Sequence, residues 1–184
     1  MAWTEPTGVC GCCQARAIAL PSSSLAILFR SATNRSHRDV HALTSRDGGR
    51  TFTGSIVQPW EIDACPMTSM SLASDGAQVF AAWETNGQVW RGRIDPRSGG
   101  VTAVAAAPGP SSGRKHPRLA VSPSGESLLV WTENTGWSRG GSIAWRAYDA
   151  AGRPTSTAGT APGLSPWSFA TAVAKPGGGF VVFY

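Results

Sequence analysis

The residues of this chain best suited to chemistry are its four cysteines and three histidines. Cys10, Cys12 and Cys13 sit in one Cys-Gly-Cys-Cys run, and Cys65 follows far downstream, just ahead of Pro66 and Met67. Three uses suit these residue types. A disulfide between Cys65 and one N-terminal thiol would staple two distant segments, as cysteines of extracellular-type folds do. A thiolate metal site drawing on Cys12, Cys13 and Cys65, with His116 as a further donor, would take Zn²⁺ or Cu⁺, and Met67 would favour copper. A nucleophilic pair of Cys65 with His116 or His37 would suit cleavage of an ester or phosphoester.

Charged and aromatic residues add to this set. Arg16, Arg38 and Arg118 could hold an anionic or polarised group, and Asp39 places a carboxylate beside His37 and Arg38. Trp167 could serve as a platform for a sugar or apolar ring. The net charge is +5, and the basic residues are dispersed without a Lys/Arg run. This points to a small anionic ligand rather than nucleic acid. No stretch approaches the length of a membrane span. The N-terminus lacks a basic region followed by an apolar one, so no signal peptide is expected.

The elements that must position these groups repeat. Four segments share a form, beginning at Ile18, Leu72, Leu119 and Thr171, so their starts lie 54, 47 and 52 residues apart. Each is a short apolar strand, a turn rich in Ser, Pro, Asp or Gly, and a stronger apolar strand ending in an aromatic, which is a hairpin signature. Two weaker strands follow each of the first three hairpins, and the connection between them is led by Asp47, Asp95 or Asp149. A period of this size with four strands per unit predicts an all-β propeller of four-stranded antiparallel blades, with a β-sandwich as the alternative.

Repeats starting near 15, 69, 116 and 168 would make residues 1–184 a single half-ring domain of about three and a half blades. An open arc exposes apolar edges. Either the chain is a piece of a longer propeller or two copies close one ring of about six or seven blades, and the expectation is the second, a homodimer.

The innermost strands of a propeller run in one direction, so the residues leading into them converge on one mouth of the central channel. Those lead-ins are Cys12-Cys13-Gln14, Cys65-Pro66-Met67, Lys115-His116-Pro117-Arg118 and Pro166-Trp167-Ser168. The loop of residues 34–39, with His37, Arg38 and Asp39, is expected to reach the same face. His41, Trp83, Trp131, Trp145 and Tyr148 lie in strands and read as packing residues, whereas Trp90 and Trp137 fit either role.

Ser45-Arg46-Asp47-Gly48-Gly49-Arg50-Thr51-Phe52 follows the Asp-box pattern S-x-D-x-G-x-T-W, with Phe52 in the Trp place. Ser45, Asp47, Gly49 and Phe52 are structural in such a turn, because the carboxylate accepts backbone hydrogen bonds and glycine supplies positive φ. With this motif the chain resembles the BNR/Asp-box, sialidase-like propeller proteins of bacteria. It is closest to a subgroup with a Cys-x-Cys-Cys before one blade and a Cys-Pro before the next. The resemblance implies a hydrolase acting at the channel mouth on a glycosidic bond, and secreted or periplasmic full-length relatives. Sialidases also carry an Arg-Ile-Pro motif, which this sequence lacks, so an ester or phosphoester is the other expected bond. A non-catalytic glycan- or protein-binding propeller is the alternative.

Overall fold

The computed structural model of the protein describes residues 8–34, 36–110, 112–136 and 138–184. Arg35 and Trp137, both within the sequence expectations above, lie outside the described residues. Strands account for the regular structure, in three four-stranded antiparallel sheets and one hairpin. The first sheet is β1 (Arg16–Leu20), β2 (Ser24–Arg30), β3 (Val40–Ser45) and β4 (Thr53–Gln58). The second is β5 (Met70–Ser74), β6 (Val79–Thr85), β7 (Gln88–Ile94) and β8 (Val101–Ala106). The third is β9 (Arg114–Val121), β10 (Ser127–Glu133), β11 (Gly141–Tyr148) and β12 (Pro154–Leu164), and the hairpin is β13 (Thr171–Ala174) with β14 (Phe180–Phe183).

Every sheet is a meander in sequence order, and the first strands of successive units lie side by side: β1 with β5, β5 with β9, β9 with β13. This is the blade architecture of a propeller, and the chain is an arc of it. The core follows from side-chain alternation. On β6, Ala81 and Trp83 pack toward the first sheet with Ala26, Leu28, Val40 and Ala42, while Ala82 packs toward the third. On β10, Leu129 and Trp131 face the second sheet, and Leu128 and Val130 face the final hairpin. A strand buried on both faces needs an unbroken apolar run, which is why the second strand of each repeat is the stronger one.

The connections between third and fourth strands are tied by acidic side chains. The Asp47 carboxylate accepts the N–H groups of Arg50 and Thr51 and the hydroxyls of Thr51 and Ser45, all within 2.6–2.9 Å. These donors, Thr51 first, hold its carboxyl far below the usual range. Gly48 and Gly49 take positive φ of 73° and 88° beside it. Asp95 accepts from Arg97 and Ser98, and Asp149 from Arg153, so the same device recurs with a different turn in each sheet.

The residues read as packing fall into place. Trp83 is fully buried, Trp131 and Tyr148 nearly so, and His41 stacks on Phe29 with ring centroids 5.1 Å apart. Trp90 and Trp145 are half-buried against the cores. The outward face of the last hairpin is open, with Val173, Phe183 and Tyr184 more than half exposed.

Candidate functional site

Irregular segments lead into β1, β5 and β13, whereas the expected third lead-in, Lys115-His116-Pro117-Arg118, lies within β9 itself, and all four are pinned to their neighbours. Ahead of β1, the Cys10 N–H donates to the Arg30 carbonyl at the end of β2, and the Gln14 N–H donates to the Thr68 carbonyl ahead of β5. Lys115 reaches from β9 to the Pro66 carbonyl at 3.1 Å. Before β13, Trp167 sits at φ 64° in a turn closed by the Ser168 N–H on the Ser165 carbonyl. Together these segments wall a cavity of about 220 Å³ lined by Gln14, Met67, Ser69, His116, Trp167 and Phe169, among others.

A β-bulge directs His116. Val130 pairs with Arg118 and Thr132 with Lys115, so His116 and Pro117 together oppose Trp131. Pro117 has no N–H to lose to the ladder, and His116 adopts φ 53°, a strained value for a side-chain-bearing residue. The imidazole lies edge-on to Phe169 at 4.6 Å, and its Nδ1 is 3.3 Å from the Ser69 hydroxyl. Burial first, then the charges of Lys115 and Arg118, push its pKa down to about 4. The ring is therefore neutral at pH 7.

A folded pKa below the unfolded value of about 6.5 means that the unfolded chain binds the extra proton between the two values. Stability is unaffected above about pH 6.5 and falls as pH drops from there toward about 4. Thermal melts should show a Tm decline across that window that is shallower in His116→Phe. An NMR titration placing His116 near 6.5 would refute this.

Two guanidiniums stand beside the cavity, outside its lining, and reach it through the lining residues Gln14 and Ser69. Arg16 on β1 donates to the Met70 carbonyl and to Gln14 Oε1. Arg118 on β9 donates to Ser69 Oγ, to the Met70 and Pro117 carbonyls and, at 3.4 Å, to the same Gln14 Oε1. Burial, and then the charge of Arg16, depress the Arg118 pKa. Among the described residues, ion pairs join Arg114 to Glu133 and Arg153 to Asp149, and neither involves Arg16 or Arg118. One neutral amide oxygen thus serves two cations.

The cysteines take the first of their three expected uses. Cys12 and Cys65 form a disulfide, stapling the segment ahead of β1 to the segment ahead of β5. In that state Cys65 has no thiolate to act as a nucleophile, and Cys12, Cys13 and Cys65 do not present three thiolates to a metal. Cys10 and Cys13 are free and buried. Burial, and then the Cys10 neighbour, push the Cys13 thiol up. His116 lies in the cavity, outside the sulfur group of Cys10, Cys12 and Cys13.

The loop with His37, Arg38 and Asp39 also lands elsewhere. Asp39 accepts the Trp60 N–H at 2.8 Å, the Arg38 N–H donates to the Trp60 carbonyl, and His37 bridges Thr33 and Glu61. None of the three lines the cavity. Hydrogen bonding to the chain after β4 holds this loop on the first sheet. Sequence reasoning passed over Ser69 and named Gln14 only as part of a lead-in, with no role of its own. Both sit beside motif residues, and only the neighbouring strands give them partners.

No family model matches the sequence, and no curated protein matches it. Among solved structures, the chain is similar to a Penicillium chrysogenum alpha-L-arabinanase complexed with arabinobiose, at 17% identity and a TM-score of 0.62, covering 92% of this chain and 58% of that one. It is similar to SapL1 lectin in complex with alpha methyl fucoside, at 14% identity and TM-score 0.57, covering 91% and 55%. A third likeness is to a Podospora anserina alpha-L-arabinofuranosidase in complex with cellotriose, at 12% identity and TM-score 0.53, covering 98% and 61%. The chain spans less than two thirds of the length of each. What these likenesses establish is the fold: a propeller-like arc of antiparallel blades, shared with two glycoside-acting enzymes and a lectin.

Proposed function

We propose that the cavity binds an anionic glycan, a sugar bearing a carboxylate or sulfate. The observation that carries this reading is the Arg16–Arg118 pair, two cations sharing the Gln14 amide oxygen as an acceptor. A ligand anion would replace that weak acceptor with charge-assisted, fork-like bonds. Trp167 and Phe169, 64% and 50% exposed, offer apolar faces for the sugar ring, and Ser69 and Lys115 offer donors. The fold neighbours bind arabinobiose, a methyl fucoside and cellotriose, which supports a sugar ligand. The likeness to sialidase-like propellers is consistent with an acidic sugar.

A hydrolytic role has one specific support, the Ser69–His116 contact. A neutral imidazole 3.3 Å from a hydroxyl can take its proton during attack on an ester or phosphoester. Among the described residues the cavity wall holds no carboxylate, so cleavage here would run through this pair rather than through two carboxylates. Our proposal for the assembly is two arcs closing one ring as a homodimer. The open hairpin face with Val173, Phe183 and Tyr184 supports it. A native mass of two chains is the expected result, and a monomer at micromolar concentration would count against the ring.

Calorimetric titration with sialylated, uronic and sulfated oligosaccharides, each beside its neutral counterpart, tests the binding reading. Affinity for the anionic member of each pair alone is expected. Equal affinity within pairs, or none, would overturn it. O-acetyl derivatives of the same ligands, which keep the anion, test hydrolysis, where turnover in the parent that is lost in Ser69→Ala identifies an enzyme.

A further inference from the structure

The sulfur cluster beside the cavity has a geometry that a staple alone does not require. Cys10 Sγ lies 3.3 Å from Cys12 Sγ and 3.1 Å from Cys13 Sγ, and Cys12 Sγ lies 4.0 Å from Cys13 Sγ. Cys65 is bonded to Cys12, so the fourth sulfur of the chain adjoins Cys12 while standing outside the group that Cys10, Cys12 and Cys13 form. We propose that reduction of the Cys12–Cys65 disulfide converts this cluster into a four-thiolate site for one thiophilic cation of the zinc class, with Cys10, Cys12, Cys13 and Cys65 as ligands.

Spacing supports three of the four vertices, and Cys65 Sγ completes the set by swinging in once its bond to Cys12 is broken. A tetrahedral ion with metal–sulfur bonds of about 2.3 Å holds its sulfurs about 3.8 Å apart. The three measured edges bracket that value and need changes of about 0.2–0.7 Å to reach it. The backbone already presents the ligands. The Cys10 N–H is anchored on the Arg30 carbonyl, and the Cys13 N–H closes a turn onto the Cys10 carbonyl, bringing three consecutive sulfurs to one side.

The surroundings support it further. A cation of charge two with four thiolates carries a net charge of minus two, which a low-dielectric site must offset. Arg30, 1% exposed, stands behind the cluster, where its Nε donates to Thr68 Oγ1 at 2.8 Å. The Thr68 hydroxyl in turn points at Cys13 Sγ at 3.6 Å. Hydrogen bonds to ligating sulfur from such a second layer orient the ligand and stabilise its anionic form. Cys10 and Cys13 are buried while Cys12 and Cys65 are exposed, so a reductant and an ion both have a route in.

The chemistry balances with an external dithiol as reductant. The dithiol gives two electrons and two protons, becoming a cyclic disulfide, while the Cys12–Cys65 bond breaks to two thiols. The cation then displaces one proton to water from each thiol it binds. This site is independent of the glycan reading, since its readout is a metal spectrum and not a sugar affinity.

Titration of the whole chain with Co²⁺, in reduced and in air-oxidised forms, tests the site. Reduced protein is expected to take one equivalent, with sulfur-to-cobalt charge-transfer absorption and tetrahedral visible bands that one equivalent of Zn²⁺ abolishes. Oxidised protein should show neither. Cys10→Ser should weaken Co²⁺ binding about tenfold or more, and Thr68→Val, which leaves all four sulfurs in place, about tenfold by loss of the outer hydrogen bond. No cobalt–thiolate signature in the reduced chain would overturn the proposal. So would equal binding by the oxidised chain, or wild-type affinity in a folded Cys10→Ser.

Discussion

Arg118→Ala is expected to lower affinity for a carboxylate-bearing oligosaccharide by about 10- to 150-fold, because hydrogen bonds to charged groups contribute about 1.5–3 kcal/mol each. The neutral counterpart should bind the variant about as it binds the parent. Arg118 is the better target of the pair because it reaches Gln14, Ser69 and Met70 from β9, across the strand that separates it from Arg16. Arg118→Lys keeps the charge and loses the fork, so an intermediate loss is expected. Arg118→Ala should leave Tm unchanged or raise it, because burial and the charge of Arg16 both oppose the Arg118 guanidinium in the free protein. That opposite movement of affinity and stability is the signature of a site held ready for an anion. If Arg118→Ala destabilises the chain and leaves affinity intact, the guanidinium is a structural brace, and the anion reading fails. Added salt should weaken binding to the parent more than to Arg118→Ala, since screening acts on the charge that the variant lacks.

The largest stability effect is expected at Trp83. Its side chain is fully buried between the first two sheets, against Ala26, Leu28, Val40 and Ala42 across the interface and Met70 beside it. Its indole N–H donates to Gln58 Oε1 at the end of β4, so one residue fills the core and satisfies a polar group across the sheets. The packing also accounts for Gly92 on the next strand, where an added Cβ would come within 3.3 Å of the indole and 2.7 Å of Val101 Cγ1. Trp83→Ala should cost about 3–5 kcal/mol, the usual range for a buried aromatic truncated to alanine. For a chain of this length that corresponds to a Tm lower by about 6–20 °C. Trp83→Phe keeps part of the volume and leaves Gln58 without its donor, so a smaller loss is expected. Urea melts that place Trp83→Ala within about 1 kcal/mol of the parent would show that the two sheets do not fold as one cooperative unit.

Much of the fold was legible in the sequence because its determinants are local. Hairpin turns, alternating strands and Asp-led connections each act over a few residues, and the order of four strands per unit follows from their recurrence. The three expected Asp turns all form, and the apolar runs Val79–Trp83 and Leu128–Trp131 are buried on both faces, as unbroken runs must be. The convergence of the lead-in segments was also readable, since it depends only on the first strands lying side by side. Cys12, His116 and Trp167 do meet at one cavity, and Arg118 lies beside it.

What only the tertiary structure decided were the pairings between segments from different blades. The bulge at His116 and Pro117 turns the imidazole toward Ser69, a residue with no motif of its own. The hydrogen bonds of Trp60 draw His37, Arg38 and Asp39 away from the face they were expected to reach. Cys12 rather than Cys10 or Cys13 meets Cys65, because the turn after Cys10 leaves Cys12 exposed on the side of the second sheet and buries its neighbours. Sequence periodicity fixes which residues enter each blade, since it is set by backbone geometry repeated along the chain. It carries no information on which side chains then touch, because those contacts depend on distances between blades that no local rule encodes.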